Sequence, residues 1–106
     1  MPKYLVRGSY TAQGARGLLK DGGTKRRAVV EKLMKGIGGT VESLYYAFGD
    51  TDVYVIVDGP DNVSAAAVSL AVNASGLTSV TLTPLLTAEE IDQATKKAVR
   101  YQGPGQ

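Results

Sequence analysis

At 106 residues the chain fits one domain with a real core. Its formal charge of +2, from 12 basic and 10 acidic residues, is too balanced to imply a nucleic-acid or membrane-surface partner. Cys and His are both absent, which excludes disulfides, thiolate or imidazole metal sites and His-dependent nucleophiles; chemistry is left to carboxylates, Lys, Arg, Tyr, Ser and Thr, with no cofactor or metal expected.

The alternation Tyr4, Val6, Gly8 against Leu5, Arg7, Ser9 predicts a first strand over Lys3–Tyr10. Arg7 interrupts any signal-peptide run, and no stretch approaches the ~18 apolar residues of a membrane span. A cytoplasmic location is therefore expected. Thr11 is the expected N-cap of a short helix over Ala12–Leu19. Gly22-Gly23 break the chain, and Thr24 is the expected cap of a second helix running to Ile37. Its apolar positions Val30, Leu33, Met34 and Ile37 recur at helical spacing. Strands follow over Thr40–Phe48 and Asp52–Asp58. The turn between them makes them an antiparallel hairpin, in which Gly49 and Asp52 are structural turn residues. Asp61 caps a helix to Ser75 with the expected core face Val63, Ala66, Ala67, Leu70, Ala71 and Ala74. Its second apolar side, Ala65, Val68 and Val72, needs another cover: the C-terminal helix with Ile91, Ala94 and Ala98, or, as the alternative, a higher oligomer built on this surface. A fourth strand spans Thr78–Leu85, and the capping box Thr87-Ala-Glu-Glu90 starts the final helix to Tyr101. Residues 102–106 read as a flexible tail behind a single domain over residues 1–101.

The order β-α-β-β-α-β plus a C-terminal helix is the split βαβ, ferredoxin-like arrangement of the α+β class, with a four-stranded antiparallel sheet. Right-handed crossovers put both main helices on one sheet face. The other face is expected to carry Leu5, Arg7, Glu42, Leu44, Tyr46, Tyr54, Ile56 and Asp58, with Tyr46 opposite Tyr54 and Leu44 opposite Ile56. Such a face is too apolar to stay bare and too polar for a dry core. A second copy related by a two-fold axis is its natural cover, and two such faces enclose a barrel-like space for a small molecule. Arg7, Glu42, Tyr46 and Tyr54 are the candidate ligand-binding residues. The alternative for Arg7 is an ion pair with Glu42 or Asp58. Asp52 and Asp58 are the candidate general bases. Gly22-Gly23-Thr24-Lys25-Arg26-Arg27 is the one phosphate-like feature, and it lacks the spacing of a P-loop.

The segment Phe48-Gly-Asp-Thr-Asp-Val-Tyr-Val-Ile-Val-Asp-Gly-Pro-Asp61 resembles the signature of GYD-domain proteins. So do the first strand, the Gly-Gly-Thr-Lys-Arg-Arg helix start and the Ser/Ala-rich helix over 64–75. Gly49 and Asp52 match, while Thr51 stands where the family carries an aromatic ring. The resemblance covers residues 3–100 and implies a dimeric α+β barrel. It supplies no reaction. Three readings stay open: a homodimeric binding protein for a small amphipathic organic ligand, a cofactor-independent enzyme (monooxygenase-, decarboxylase- or isomerase-like) acting on such a ligand, and an oligomeric scaffold without one.

Overall fold

The computed structural model describes residues 1–106. The elements are β1 (Lys3–Tyr10), α1 (Ala12–Asp21), α2 (Gly23–Gly36), β2 (Thr40–Tyr46), β3 (Val53–Asp58), α3 (Asn62–Ala74), β4 (Thr78–Leu85) and α4 (Ala88–Thr95). The strands form one antiparallel sheet in the order β2-β3-β1-β4. This is the ferredoxin-like α+β arrangement that the element order predicts.

Three of the helix starts follow directly from side-chain chemistry. The Thr11 hydroxyl accepts from Gly14 N, the Asp61 carboxylate accepts from Ser64 N, and Thr87 and Glu90 form a reciprocal capping box. The expected Thr24 cap does not form. Gly22, at φ +81, ends α1 and begins α2 by itself, donating its N–H to Leu18 O at 2.7 Å. A single left-handed residue makes the elbow, so no extended residue remains to present a Thr24 hydroxyl.

One sheet face packs under the helices. Tyr4, Val53, Val55 and Val57 meet Met34 from α2 and Ala65 and Val68 from α3, and Val57 is only 1% exposed. The Tyr4 hydroxyl reaches the end of α3 and donates to Asn62 Oδ1 at 2.6 Å.

Two expectations about faces are overturned. The first concerns β2. Val41 opposes Val57, but the register then shifts, so that Ser43 opposes Ile56, Leu44 opposes Val55, Tyr45 opposes Tyr54 and Tyr46 opposes Val53. The irregularity at Glu42-Ser43 adds one residue and reverses the parity of everything after it. Leu44 and Tyr46 therefore share the helix-covered face, and Tyr45 takes the position expected of Tyr46.

The second concerns α3. Ala65 and Val68 are buried, whereas Val63 is 80% and Leu70 72% exposed, and Ala66, Ala67, Ala71 and Ala74 are exposed with them. The Ala-rich sequence gives periodicity little contrast. Two asparagines three turns apart set the rotation instead. Asn62 accepts from Tyr4, and Asn73 grips the backbone of edge strand β4, its Oδ1 accepting from Val80 N at 2.8 Å and its Nδ2 donating to Val80 O at 3.2 Å. An edge strand leaves such backbone groups unpaired, and the amide satisfies both.

The C-terminal helix does not cover α3. Every residue from Leu86 to Gln102 is exposed, Ile91 among them at 47%. The radius of gyration is 16.9 Å and the longest dimension 56 Å, against about 13 Å for the radius of a compact chain of this length. The arm leaves the body at the end of β4. No helix is long and apolar enough to cross a membrane.

Candidate functional site

The residues singled out by sequence fall into two groups on opposite faces of the sheet. The open face holds Arg7, Tyr54, Asp58 and Glu42, joined by Tyr45. Arg7 and Tyr54 are opposite each other across β1 and β3, and Tyr54 and Tyr45 across β3 and β2. Tyr45 is 73% and Tyr54 41% exposed. Leu5 and Ile56 are paired next to them and half-buried.

The expected ion pair of Arg7 with Glu42 or Asp58 is replaced by another. Lys3 Nζ lies 2.9 Å from Asp58 Oδ1 and 3.2 Å from Glu42 Oε1. The register explains the substitution: Lys3 is opposite Asp58, and Arg7 is four residues, roughly 13 Å, further along the strand. The hydrogen bonds that Lys3 donates to Asp58 and, next in weight, to Glu42 raise its pKa above the ordinary 10.5. Arg7 has no carboxylate within 4.0 Å, and it is exposed.

Asp52 and Tyr46 lie elsewhere and come together. Asp52 Oδ2 accepts from Tyr10 N at 2.8 Å, its own N–H donates to Gly8 O at 2.9 Å, and its carbonyl accepts from Ala47 N at 2.7 Å. The first two bonds tie the hairpin to the end of β1, and the third closes the hairpin itself. Gly49 has a negative φ and open space around it, so the backbone makes no demand for glycine there.

Tyr46 reaches under α2. Its hydroxyl donates to Gly23 O at 2.9 Å, and its ring lies so close to Gly23 that an added Cβ would approach it to 3.0 Å. The Gly-Gly step thus forms the elbow at Gly22 and the seat for the Tyr46 ring at Gly23. Burial, with a smaller contribution from Tyr10, raises the Tyr46 phenol above its ordinary 10.0, while Arg26 and Arg27 pull it back. The group stays protonated and remains a donor at neutral pH.

Tyr46, Tyr10, Gly23 and Asp52, with Ala15, Leu18 and Ala47, line an open pocket of about 330 Å³. Behind it, between the sheet and helices α2 and α3, lies a second cavity of about 60 Å³ with a wholly apolar lining that includes Val30, Leu44, Val53, Val72 and Leu82. Tyr10 and Tyr46 line both spaces. The outer pocket falls in the usual size range for small-molecule sites, roughly 300–1,000 Å³. The arrangement joins a polar rim of two phenols and a carboxylate to an apolar interior.

Sequence reasoning missed Tyr10 and Tyr45. Tyr10 shares the parity of Tyr4 and Val6, so the strand alternation already placed it beneath the helices. For Tyr45 the signal was the three-residue gap between the apolar Val41 and Leu44, with two polar residues between them, which an unbroken strand does not produce.

A family model described as the GYD domain matches residues 4–95. No curated protein and no solved structure matches the chain.

Proposed function

The chain belongs to the GYD domain family, and on that premise we propose that it is a homodimeric binding protein which seats a small amphipathic organic ligand between its sheet and its helices. The observation that carries this reading is the pair of tyrosines shared by two cavities. Tyr10 and Tyr46 stand where the open 330 Å³ pocket meets the apolar 60 Å³ interior. A ligand with one polar and one apolar end matches that sequence of surfaces. The polar end meets the Tyr10 and Tyr46 phenols and the Asp52 carboxylate at the rim, and the apolar end meets the wholly apolar lining of the interior.

The ligand position expected from sequence, between two open sheet faces, moves to the other side of the sheet. Tyr46 and Asp52 go with it. Arg7, Glu42, Tyr54 and Asp58 remain on the open face and serve self-association. Leu5, Ile56, Tyr45 and Tyr54 form a bare apolar and aromatic stripe there, and a second copy facing it covers the stripe on both chains. Binding is favoured over catalysis because Asp52, the carboxylate at the pocket, is committed to the Tyr10 amide and the hairpin.

Native mass spectrometry of the protein isolated from its own cells tests both parts at once. The expected result is a dimer carrying a stoichiometric small-molecule adduct that Ala15→Trp, which fills the outer pocket from the exposed side of α1, removes. A dimer that shows no adduct even after incubation with a host metabolite extract turns the reading toward a scaffold. A monomer under all conditions rules out the pairing of faces.

A further inference from the structure

The eight residues of α4 are all exposed, as are Leu86 before them and Lys96 to Gln102 after them. An isolated helix needs about 12–15 residues to be even marginal in water, and shorter ones persist by packing an apolar side against something. α4 has such a side. Its capping box makes Thr87 the N-cap, so Leu86 and Ile91 hold the positions just before the cap and at the fourth helical residue, which meet on one side of the first turn. Nothing in the same chain covers them. The reciprocal Thr87–Glu90 bonds, at 2.9 and 3.1 Å, fix the angle at which the helix leaves β4, and the arm runs away from the body instead of back over it.

A receiving surface of matching chemistry lies where α3 meets edge strand β4. An open recess of about 230 Å³ is walled there by Ala65, Ala66 and Ser69 of α3 and by Leu82 and Pro84 of β4, together with Tyr4 and Asn62. The Tyr4 hydroxyl and Asn62 Oδ1 bond each other, and Ser69 Oγ accepts from Asn73 Nδ2. No charged residue occurs in α3. The strand edge is closed to an extended peptide, because Asn73 holds Val80 N and O and Pro84 has no N–H. The recess is therefore suited to apolar side chains presented by a helix and not to an added strand.

We infer that the occupant is the arm of a second copy: Leu86 and Ile91 of one chain seat in the α3–β4 recess of the other, and the second arm does the same in return. This rests on the pairing of open faces given above. Two reciprocal contacts of a helix about 12 Å long and 10 Å across cover on the order of 500 Å² in total, against the roughly 1,200 Å² at which stable interfaces begin. The arms thus strengthen a dimer that the sheet faces hold, and they do so on the helix-covered side of the sheet.

The chain has no cysteine, so introduced thiols report this contact alone. Ala66→Cys protein mixed with Ile91→Cys protein and treated with a short bismaleimide is expected to give a covalent dimer of one chain of each kind, identified by mass spectrometry. Leu19→Cys, exposed on α1, is expected to give about a tenth of that yield or less with Ile91→Cys. Ile91→Glu is expected to raise the dimer dissociation constant about tenfold in sedimentation measurements, as the loss of one buried aliphatic side chain implies, with an unchanged circular dichroism spectrum. A dimer whose Ala66–Ile91 pair cross-links no better than the Leu19 control, or that Ile91→Glu leaves as tight as before, overturns the arm contact and leaves the pairing of open faces standing. A chain carrying both cysteines that cross-links within itself, while the mixed single variants do not join, assigns the arm to its own recess and overturns the exchange. A wild-type protein that is monomeric at every concentration overturns the open-face pairing and this inference with it.

Discussion

Tyr45 and Tyr46 are adjacent in the chain and belong to opposite faces of the sheet. Tyr46 turns under α2, donates to the backbone of Gly23 and lines both cavities. Tyr45 stands 73% exposed on the bare face, opposite Tyr54. The same pairing of neighbours recurs in β3, where Val57 is 1% exposed in the core and Ile56 faces out beside Leu5. The helix-covered face is specified by volume: Val, Met and Ala fill it, and the Tyr4 and Tyr46 hydroxyls each donate to a protein oxygen there. The open face mixes aromatic, aliphatic and charged groups, and its one network, Lys3 with Asp58 and Glu42, sits at the edge. The difference teaches that the two faces are built by different rules, close packing beneath the helices on one and a mixed, solvent-facing surface on the other.

The strongest way to break that comparison is to place the same charge on neighbouring residues. Val57→Asp buries an unpaired carboxylate in the core and is expected to abolish cooperative folding, because a cost of several kcal/mol consumes most of a stability of about 5–15 kcal/mol. Ile56→Asp is expected to leave the circular dichroism spectrum unchanged and to convert a dimer into a monomer by light scattering. An Ile56→Asp protein with full dimer mass contradicts the pairing of open faces.

A smaller effect tests the rotation of α3. Val68→Ala, at a buried position, is expected to cost about 2 kcal/mol in urea unfolding, from two lost methyl groups and the gap they leave. Leu70→Ala, on the 72% exposed side, is expected to stay within about 0.5 kcal/mol. Equal costs at the two positions refute the observed rotation.

The tyrosine pair sharpens the contrast further. Tyr46→Phe removes the bond to Gly23 O and is expected to cost about 0.5–1 kcal/mol, whereas Tyr45→Phe, with no intrachain partner for its hydroxyl, is expected to be neutral. The readout is the difference between the two urea midpoints, and a loss at Tyr45 as large as at Tyr46 removes the distinction.

The mildest prediction concerns pH. The Ser64 N–H holds the Asp61 carboxylate below its ordinary 3.8. A lowered folded-state value means that the cap stabilises above the ordinary value and loses that contribution as pH falls through the lower, folded one. Asp61→Ala should therefore lower the melting temperature at neutral pH, and the gap to wild type should narrow in acid below that range. A gap that stays constant shows that the charge plays no part in the cap.

Much of the fold was legible because it rests on local chemistry. Thr11, Asp61 and the Thr87/Glu90 box announce three helix starts, and the alternation of β1 and β3 assigns their faces correctly. The site was legible only in pieces. Asp52 was singled out beside the turn, and its Oδ2 and its N–H join the hairpin to Tyr10 and Gly8. Tyr46 was singled out and assigned to the wrong face. Arg7 was matched with Glu42 or Asp58, and Lys3 took both.

The sequence by itself determined the element order, the caps at Thr11, Asp61 and Thr87, the ferredoxin-like class and the family, since each depends on residue types at short spacing. Only the tertiary structure decided three things: the parity of β2 after Glu42-Ser43, the rotation of α3, and the choice of Lys3 over Arg7 in the ion network. Each is settled by groups distant in the chain. The β2 parity is settled by pairing with β3, the α3 rotation by Tyr4 and Val80 acting on Asn62 and Asn73, and the ion network by the register that puts Lys3 opposite Asp58. A one-residue shift in a strand changes no local preference and exchanges every side chain between core and surface, so only the assembled sheet selects it.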